Sequence, residues 1–223
     1  MRRFLRENDL SLVMFGIFAV CLVGQALAGY RVYNAEQAEN GQMLVDGLAY
    51  LRTGHFIEAV FENWESEFLQ MGMYVLLTVF LFQTGSPVSK GLYEPEEVDA
   101  DSRGHADVPW PVRRGGLALR IYENSLALAL FVLFAASLLL HAAGGARDAT
   151  ARAAEQGDGP ISLTSYLGSA KFWFESMQNW QSEFLSIGVL VVLAIFLRQR
   201  GSPESKPVDP PHQEGVAPPE SSA

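Results

Sequence analysis

Asn63 and Glu67 stand four residues apart, and Asn179 and Glu183 repeat the same pair further along the chain. Residues at i and i+4 share a helix face, so each pair would present a carboxamide beside a carboxylate. Two such pairs facing each other could hold a cation or pass a proton. His141 is the histidine that falls inside an apolar run, where it could titrate or bind a metal, and Gln25 holds the equivalent place in the first half of the chain. A structural role competes at every one of these positions. Asn bridges helices through side-chain hydrogen bonds, a carboxylate can rest among lipid headgroups, and Trp64 and Trp180 beside the pairs suit the aromatic belt of a membrane interface. The neighbouring charges differ between the copies, Glu62 against Gln178 and Glu65 against Gln181, whereas Glu67 and Glu183 match.

These pairs belong to a larger repetition. Residues 7–90 recur at 123–206 without a gap, with 35 of 84 positions identical. Asn63-Trp64-Glu65-Ser66-Glu67-Phe68-Leu69 returns as Asn179-Trp180-Gln181-Ser182-Glu183-Phe184-Leu185, and each copy closes on Gly-Ser-Pro, at Gly85 and at Gly201. A repeat of this length makes the pair of copies the architectural unit.

Four runs carry no Asp, Glu, Lys or Arg: Leu10 to Ala28, Phe68 to Phe82, Ser125 to Gly145 and Phe184 to Leu197. With their uncharged shoulders they approach the roughly 20 residues that cross about 30 Å of hydrocarbon. The second and fourth are shorter, but each continues an apolar stripe from the preceding segment, so a longer, tilted helix can enter the bilayer. The expected fold is therefore an all-α integral membrane protein with four transmembrane helices, a tandem duplication of a two-helix hairpin. Residues 1–90 form the first repeat, with spans near 10–28 and 67–84; 117–206 form the second, with spans near 125–145 and 183–199. The linker 91–116 carries Glu94-Pro95-Glu96-Glu97, Asp99, Asp101 and Pro109-Trp110-Pro111 with no apolar periodicity, the tail 207–223 is rich in Pro, Ser and Glu, and both are read as disordered and cytoplasmic.

Arg2-Arg3, an apolar stretch and Ala26-Leu27-Ala28 imitate a secretory signal. The same helix recurs in mid-chain, where no signal could serve, so it is expected to be retained. Eleven basic residues flank the runs on the side of the termini and the linker, against five in the other two loops. The positive-inside rule then puts both termini in the cytoplasm. Two copies of like orientation give a pseudo-two-fold axis along the membrane normal.

Leu12, Phe15, Ala19, Leu22, Ala26 and Gly29 are identical to Leu128, Phe131, Ala135, Leu138, Ala142 and Gly145. Their 3 and 4 spacing is that of a left-handed packing seam, and the first and third helices are expected to cross on it. Thr53 and Ser169 are suited to N-cap the second and fourth helices. An apolar stripe, Ile57, Phe61, Trp64 and Phe68 in one copy and Trp173, Met177, Trp180 and Phe184 in the other, then leads each helix into the membrane.

The formal net charge of −9 and the absence of a basic cluster argue against a nucleic acid partner. Cys21 is the single cysteine, which excludes an intrachain disulfide; it reads as a small packing residue. His55, His105 and His212 lie outside the apolar runs, so bis-histidine haem lacks a second intramembrane ligand. With no nucleotide loop, zinc spacing or hydrolase elbow, no cofactor, metal or catalytic residue is expected.

Arg-Arg-Phe-Leu-Arg-Glu-Asn at 2–8, Val23-Gly24-Gln25-Ala26-Leu27-Ala28-Gly29, and the block from Phe61 to Gln70 resemble a bacterial membrane-protein family labelled only as a domain of unknown function. The resemblance covers both repeats and departs in the second at Gln181 and Ser186. It implies a bacterial inner-membrane helical protein and supplies no activity. The expected function is a non-enzymatic structural or partner-binding element of that membrane, with the bilayer and a further copy or another membrane protein as partners. The alternative is a small cation or proton pathway on Glu67 and Glu183, helped by Asn63, Asn179 and His141.

Overall fold

A computed structural model describes residues 2–92, 96–99 and 108–209. Its regular elements are helical: α1 (Arg2–Glu7), α2 (Asp9–Glu39), α3 (Gly47–Tyr50), α4 (Gly54–Phe80), α5 (Trp110–Arg114), α6 (Gly116–Glu123), α7 (Ser125–Glu155), α8 (Leu163–Leu167) and α9 (Ala170–Phe196), with one 3₁₀ turn at Glu97–Asp99. The long helices α2 and α7 start 116 residues apart and have equal length, as do α4 and α9.

Local chemistry sets these limits in the same way in both halves. Thr53 Oγ1 accepts the Phe56 amide, and Ser169 Oγ accepts the Phe172 amide, each at 3.2 Å. These hydroxyls take up amides left without a partner in the first turn. The long helices α2 and α7 stop where Gly41 and Gly157 take φ of 69° and 80°, a left-handed conformation that glycine reaches without a Cβ penalty. The following loops are ordered. Asn34 brackets Val45 with two bonds of 2.9 Å, and Thr150 accepts the Ile161 amide at 3.0 Å. After α4 and α9, Ser89 and Ser205 accept the amides of Gln83 and Gln199, each at 2.8 Å.

Three described helices, α2, α7 and α9, are long and apolar enough to cross a membrane. The equally long α4 carries Glu58, Glu62, Glu65 and Glu67 in its first half, and it is not among them. Their large apolar side chains face outward: Val20 is 73 % exposed and Val132 67 %. Lipid removes the cost that such surfaces would meet in water.

The chain divides into two compact units. The first comprises Met1–Phe61 and Leu139–Trp173 and the second Glu62–Leu138 and Phe174–Ala223. The first buries Tyr50, Val60, Ala142, Ala146, Tyr166 and Phe172 together with Glu58, His141 and Asp148. The second buries Leu119 and Ala194 with Glu65, Ser66, Gln70, Ser86, Ser137 and Ser176. In both, polar groups are prominent among the buried residues.

The expected disordered linker falls partly outside the described residues, as do the tail beyond 209, His105 and His212. Where the linker is described it includes the 3₁₀ turn at Glu97–Asp99 and α5. Pro109 and Pro111 fix the backbone for a short helix at Trp110–Arg114, and the Arg114 guanidinium lies 5.1 Å from the exposed Trp110 ring centre.

Candidate functional site

In the second unit, Asn63 and Glu67 occupy the exposed side of α4, and Asn179 and Glu183 are half-buried on α9. Glu67 and Glu183 lie within electrostatic range of each other.

The buried face of α4 carries different residues. Glu65 is wholly buried, and its Oε1 accepts from Ser176 Oγ at 2.7 Å and from Trp180 Nε1 at 3.3 Å. Both donors sit on α9, one turn apart, so the carboxylate ties α4 to α9. Trp180, expected as an interface anchor, spends its indole N–H on this bond and meets Phe134 edge-on at 6.1 Å. Trp64 is half-buried on α4. Ser66 and Gln70 extend the buried polar face, although the Ser66 hydroxyl turns back to its own helix at Asn63 O, 2.7 Å away.

The first unit holds a second buried carboxylate. Glu58 Oε1 accepts from Tyr166 Oη and from Lys171 Nζ, both at 2.6 Å. His141 is fully buried, with a ring nitrogen within 4.8 Å of the Glu58 carboxylate and its ring 4.9 Å from that of Phe172. A carboxylate beside an imidazole can hold a metal or move a proton. Here the Lys171 ammonium already supplies Glu58 with the compensating charge that a metal would bring. Gln25 stands apart from His141 in role: it is exposed and donates to Ala59 O at 3.1 Å.

Small residues let these side chains approach. A Cβ on Gly144 would overlap the Glu58 backbone nitrogen, and one on Gly54 would overlap the Asp148 nitrogen and the Gly144 oxygen. At that point α4 and α7 meet backbone to backbone, as small residues allow in helices within lipid. Gly29 and Gly145 leave room for the hydroxyl ends of Tyr50 and Tyr166.

The residues of the expected seam differ in exposure. Leu12, Phe15, Ala19, Ala135 and Leu128 are exposed, while Leu22, Ala26, Phe131 and Leu138 are half-buried and Ala142 is buried. Phe131 packs against Gly72 of α4.

A family model covers residues 1–217 of the chain. The chain belongs to the DUF6766 family, a domain of unknown function. No curated protein and no solved structure matches it. DUF6766 membership bears out the resemblance at the level of family and brings no activity with it.

Sequence reading missed Glu58, Glu65, Ser176 and Lys171. A signal was present: Glu58 and Glu65 are seven apart on α4, and Ser137, His141 and Asp148 follow at spacings of four and seven on α7. A polar heptad stripe within an apolar helix marks a face turned away from lipid.

Proposed function

We propose that this DUF6766 chain is a non-enzymatic structural or partner-binding element of a bacterial inner membrane. It would consist of four spanning helices in two tandem hairpins, with both termini in the cytoplasm. The equal lengths and constant offset of α2 with α7 and of α4 with α9 support the duplication, and the distribution of basic residues supports the orientation. α4 serves as the fourth span in this reading. Its 27 residues reach about 40 Å at 1.5 Å each, and its charged residues precede the apolar run that starts at Phe68.

The observation that carries the proposal is the bonding of the two buried carboxylates. Glu65 takes hydroxyl and indole donors from α9, and Glu58 takes Tyr166 and Lys171. Carboxylates fixed in this way act as interhelical clamps. A double-mutant cycle on Glu65→Gln and Ser176→Ala, read by chemical unfolding in detergent, tests it. Coupling of about 1 kcal/mol or more is expected for a shared buried bond; additive effects would remove the clamp.

A second reading, a small cation or proton pathway, is favoured by one observation, the electrostatic interaction between Glu67 and Glu183. Ion flux separates the two readings.

A further inference from the structure

Ahead of α2 and of α7 the chain leaves helical backbone at an asparagine. Asn8 stands between α1 and α2 at φ −129° and ψ 17°, and Asn124 between α6 and α7 at φ −110° and ψ 10°. Each closes one helix and opens the next. The side-chain nitrogen donates to the carbonyl four residues back, Asn8 to Phe4 at 2.9 Å and Asn124 to Arg120 at 2.8 Å. The asparagine's own carbonyl accepts the amide of Leu12 at 3.0 Å or of Leu128 at 2.9 Å. A joint tied on both sides sets a short helix off from the apolar helix behind it.

In the second unit the segment before the joint is basic and apolar at once. Between Trp110 and Glu123 it carries Arg113, Arg114 and Arg120 against the carboxylate of Glu123, in a chain whose formal net charge is −9. All three arginines are exposed, and none pairs with a carboxylate among the described residues. The Arg114 guanidinium lies over the Trp110 ring, which leaves the N–H groups at its edge for an acceptor. Leu119 is the residue that α6 turns inward, 8 % exposed, while Leu117 and Ile121, two residues to either side and on the opposite face, are 73 % and 52 % exposed. The first unit repeats the pattern in α1, where Phe4 and Leu5 are exposed beside Arg6; Arg3 there is held by Glu7 at 2.6 Å.

Position selects the occupant of this face. Ile121 stands four residues before Ser125, where the apolar run of α7 begins, a separation of about 6 Å along a helix. An exposed Leu–Ile face so close to hydrocarbon, with arginines and a tryptophan beside it, matches a helix lying in the headgroup region of a bilayer. Charge complementarity selects anionic headgroups. We propose that α5 and α6 bind anionic phospholipid at the cytoplasmic surface, with Arg113, Arg114 and Arg120 on the phosphates and Leu117 and Ile121 among the first acyl carbons. The inference rests on the reading of α7 as a membrane span.

The test uses the full chain in nanodiscs of phosphatidylcholine with phosphatidylglycerol, in a Cys21→Ser background with a nitroxide at Ile121→Cys, Glu123→Cys or Val132→Cys. Collision with oxygen and with a water-soluble nickel chelate reads depth. The label at Ile121 should favour oxygen and that at Glu123 the chelate, with Val132, inside the apolar run of α7, as the reference for hydrocarbon. Arg113→Gln, Arg114→Gln, Arg120→Gln alters exposed side chains alone, and it should lower the preference of the chain for spin-labelled phosphatidylglycerol over phosphatidylcholine by about threefold or more. A chelate-accessible label at Ile121 with an oxygen-accessible one at Val132, or an unchanged lipid preference in the triple variant, would overturn the lipid site and leave the span standing. A label at Ile121 shielded from both reagents would put protein on that face and overturn the assignment to lipid. A chelate-accessible label at Val132 would overturn the spanning reading itself, and the lipid site with it.

Discussion

Glu65 and Ser176 lie 111 positions apart in the chain and meet at 2.7 Å, both withdrawn from solvent, the hydroxyl donating to the carboxylate. Ser182, six residues further along α9, returns its hydroxyl to Asn179 O on its own helix and is exposed. Hydrogen bonds to charged groups contribute about 1.5–3 kcal/mol. Ser176→Ala should therefore destabilise the chain by about 2 kcal/mol, whereas Ser182→Ala should stay within about 0.5 kcal/mol. Paired chemical unfolding of the two variants checks the difference.

Tyr166 and Tyr50 hold equivalent places in the two repeats and have unequal partners. Tyr166 donates to the buried Glu58 at 2.6 Å, and Tyr50 shares 3.2 Å with His55 Nδ1. Removal of the Tyr166 hydroxyl strips a donor from a buried carboxylate. Tyr166→Phe is expected to cost about 2 kcal/mol and Tyr50→Phe clearly less, by the same unfolding assay.

Alanine at Gly144 or Gly145 meets different neighbours. At Gly144 the new Cβ strikes backbone of α4 beside Glu58, and at Gly145 it strikes the end of the Tyr166 side chain. Overpacking of this kind costs about 1–3 kcal/mol. Both variants should lose stability, Gly144→Ala more, because backbone yields less readily than a side chain. Gly24→Ala, where nothing lies within 4 Å, serves as the control and should be neutral or slightly stabilising.

Burial, and secondarily the neighbouring Tyr33, hold the Tyr50 hydroxyl above the ordinary tyrosine value of 10.0. The folded chain thus keeps this proton more tightly than the unfolded chain does. The stability linked to it is intact below pH 10 and is lost as the pH rises through the raised value. Unfolding midpoints measured from pH 9 upward should fall less steeply in Tyr50→Phe than in the parent.

The N-caps of α4 and α9 were legible from sequence because they depend on local chemistry that both copies share, Thr53 with Ser169. The buried clamps were not legible by that route. Glu58, Glu65 and His141 are buried, while the residues at the same register in the other copy, Phe174, Gln181 and Gln25, are exposed. Duplicated helices share a register but not an environment. Comparing identical positions therefore led to Glu67 and Ala19, which are exposed, and passed over Glu58, Glu65 and His141, whose counterparts differ.

The most direct test of the structural reading is proton and monovalent-cation flux in proteoliposomes, comparing the parent chain with Glu67→Gln, Glu183→Gln after equal incorporation and folding are established. Interhelical clamps predict no flux above empty liposomes from either protein. Flux from the parent that disappears in the double variant would contradict the structural account and assign the two carboxylates to an ion pathway.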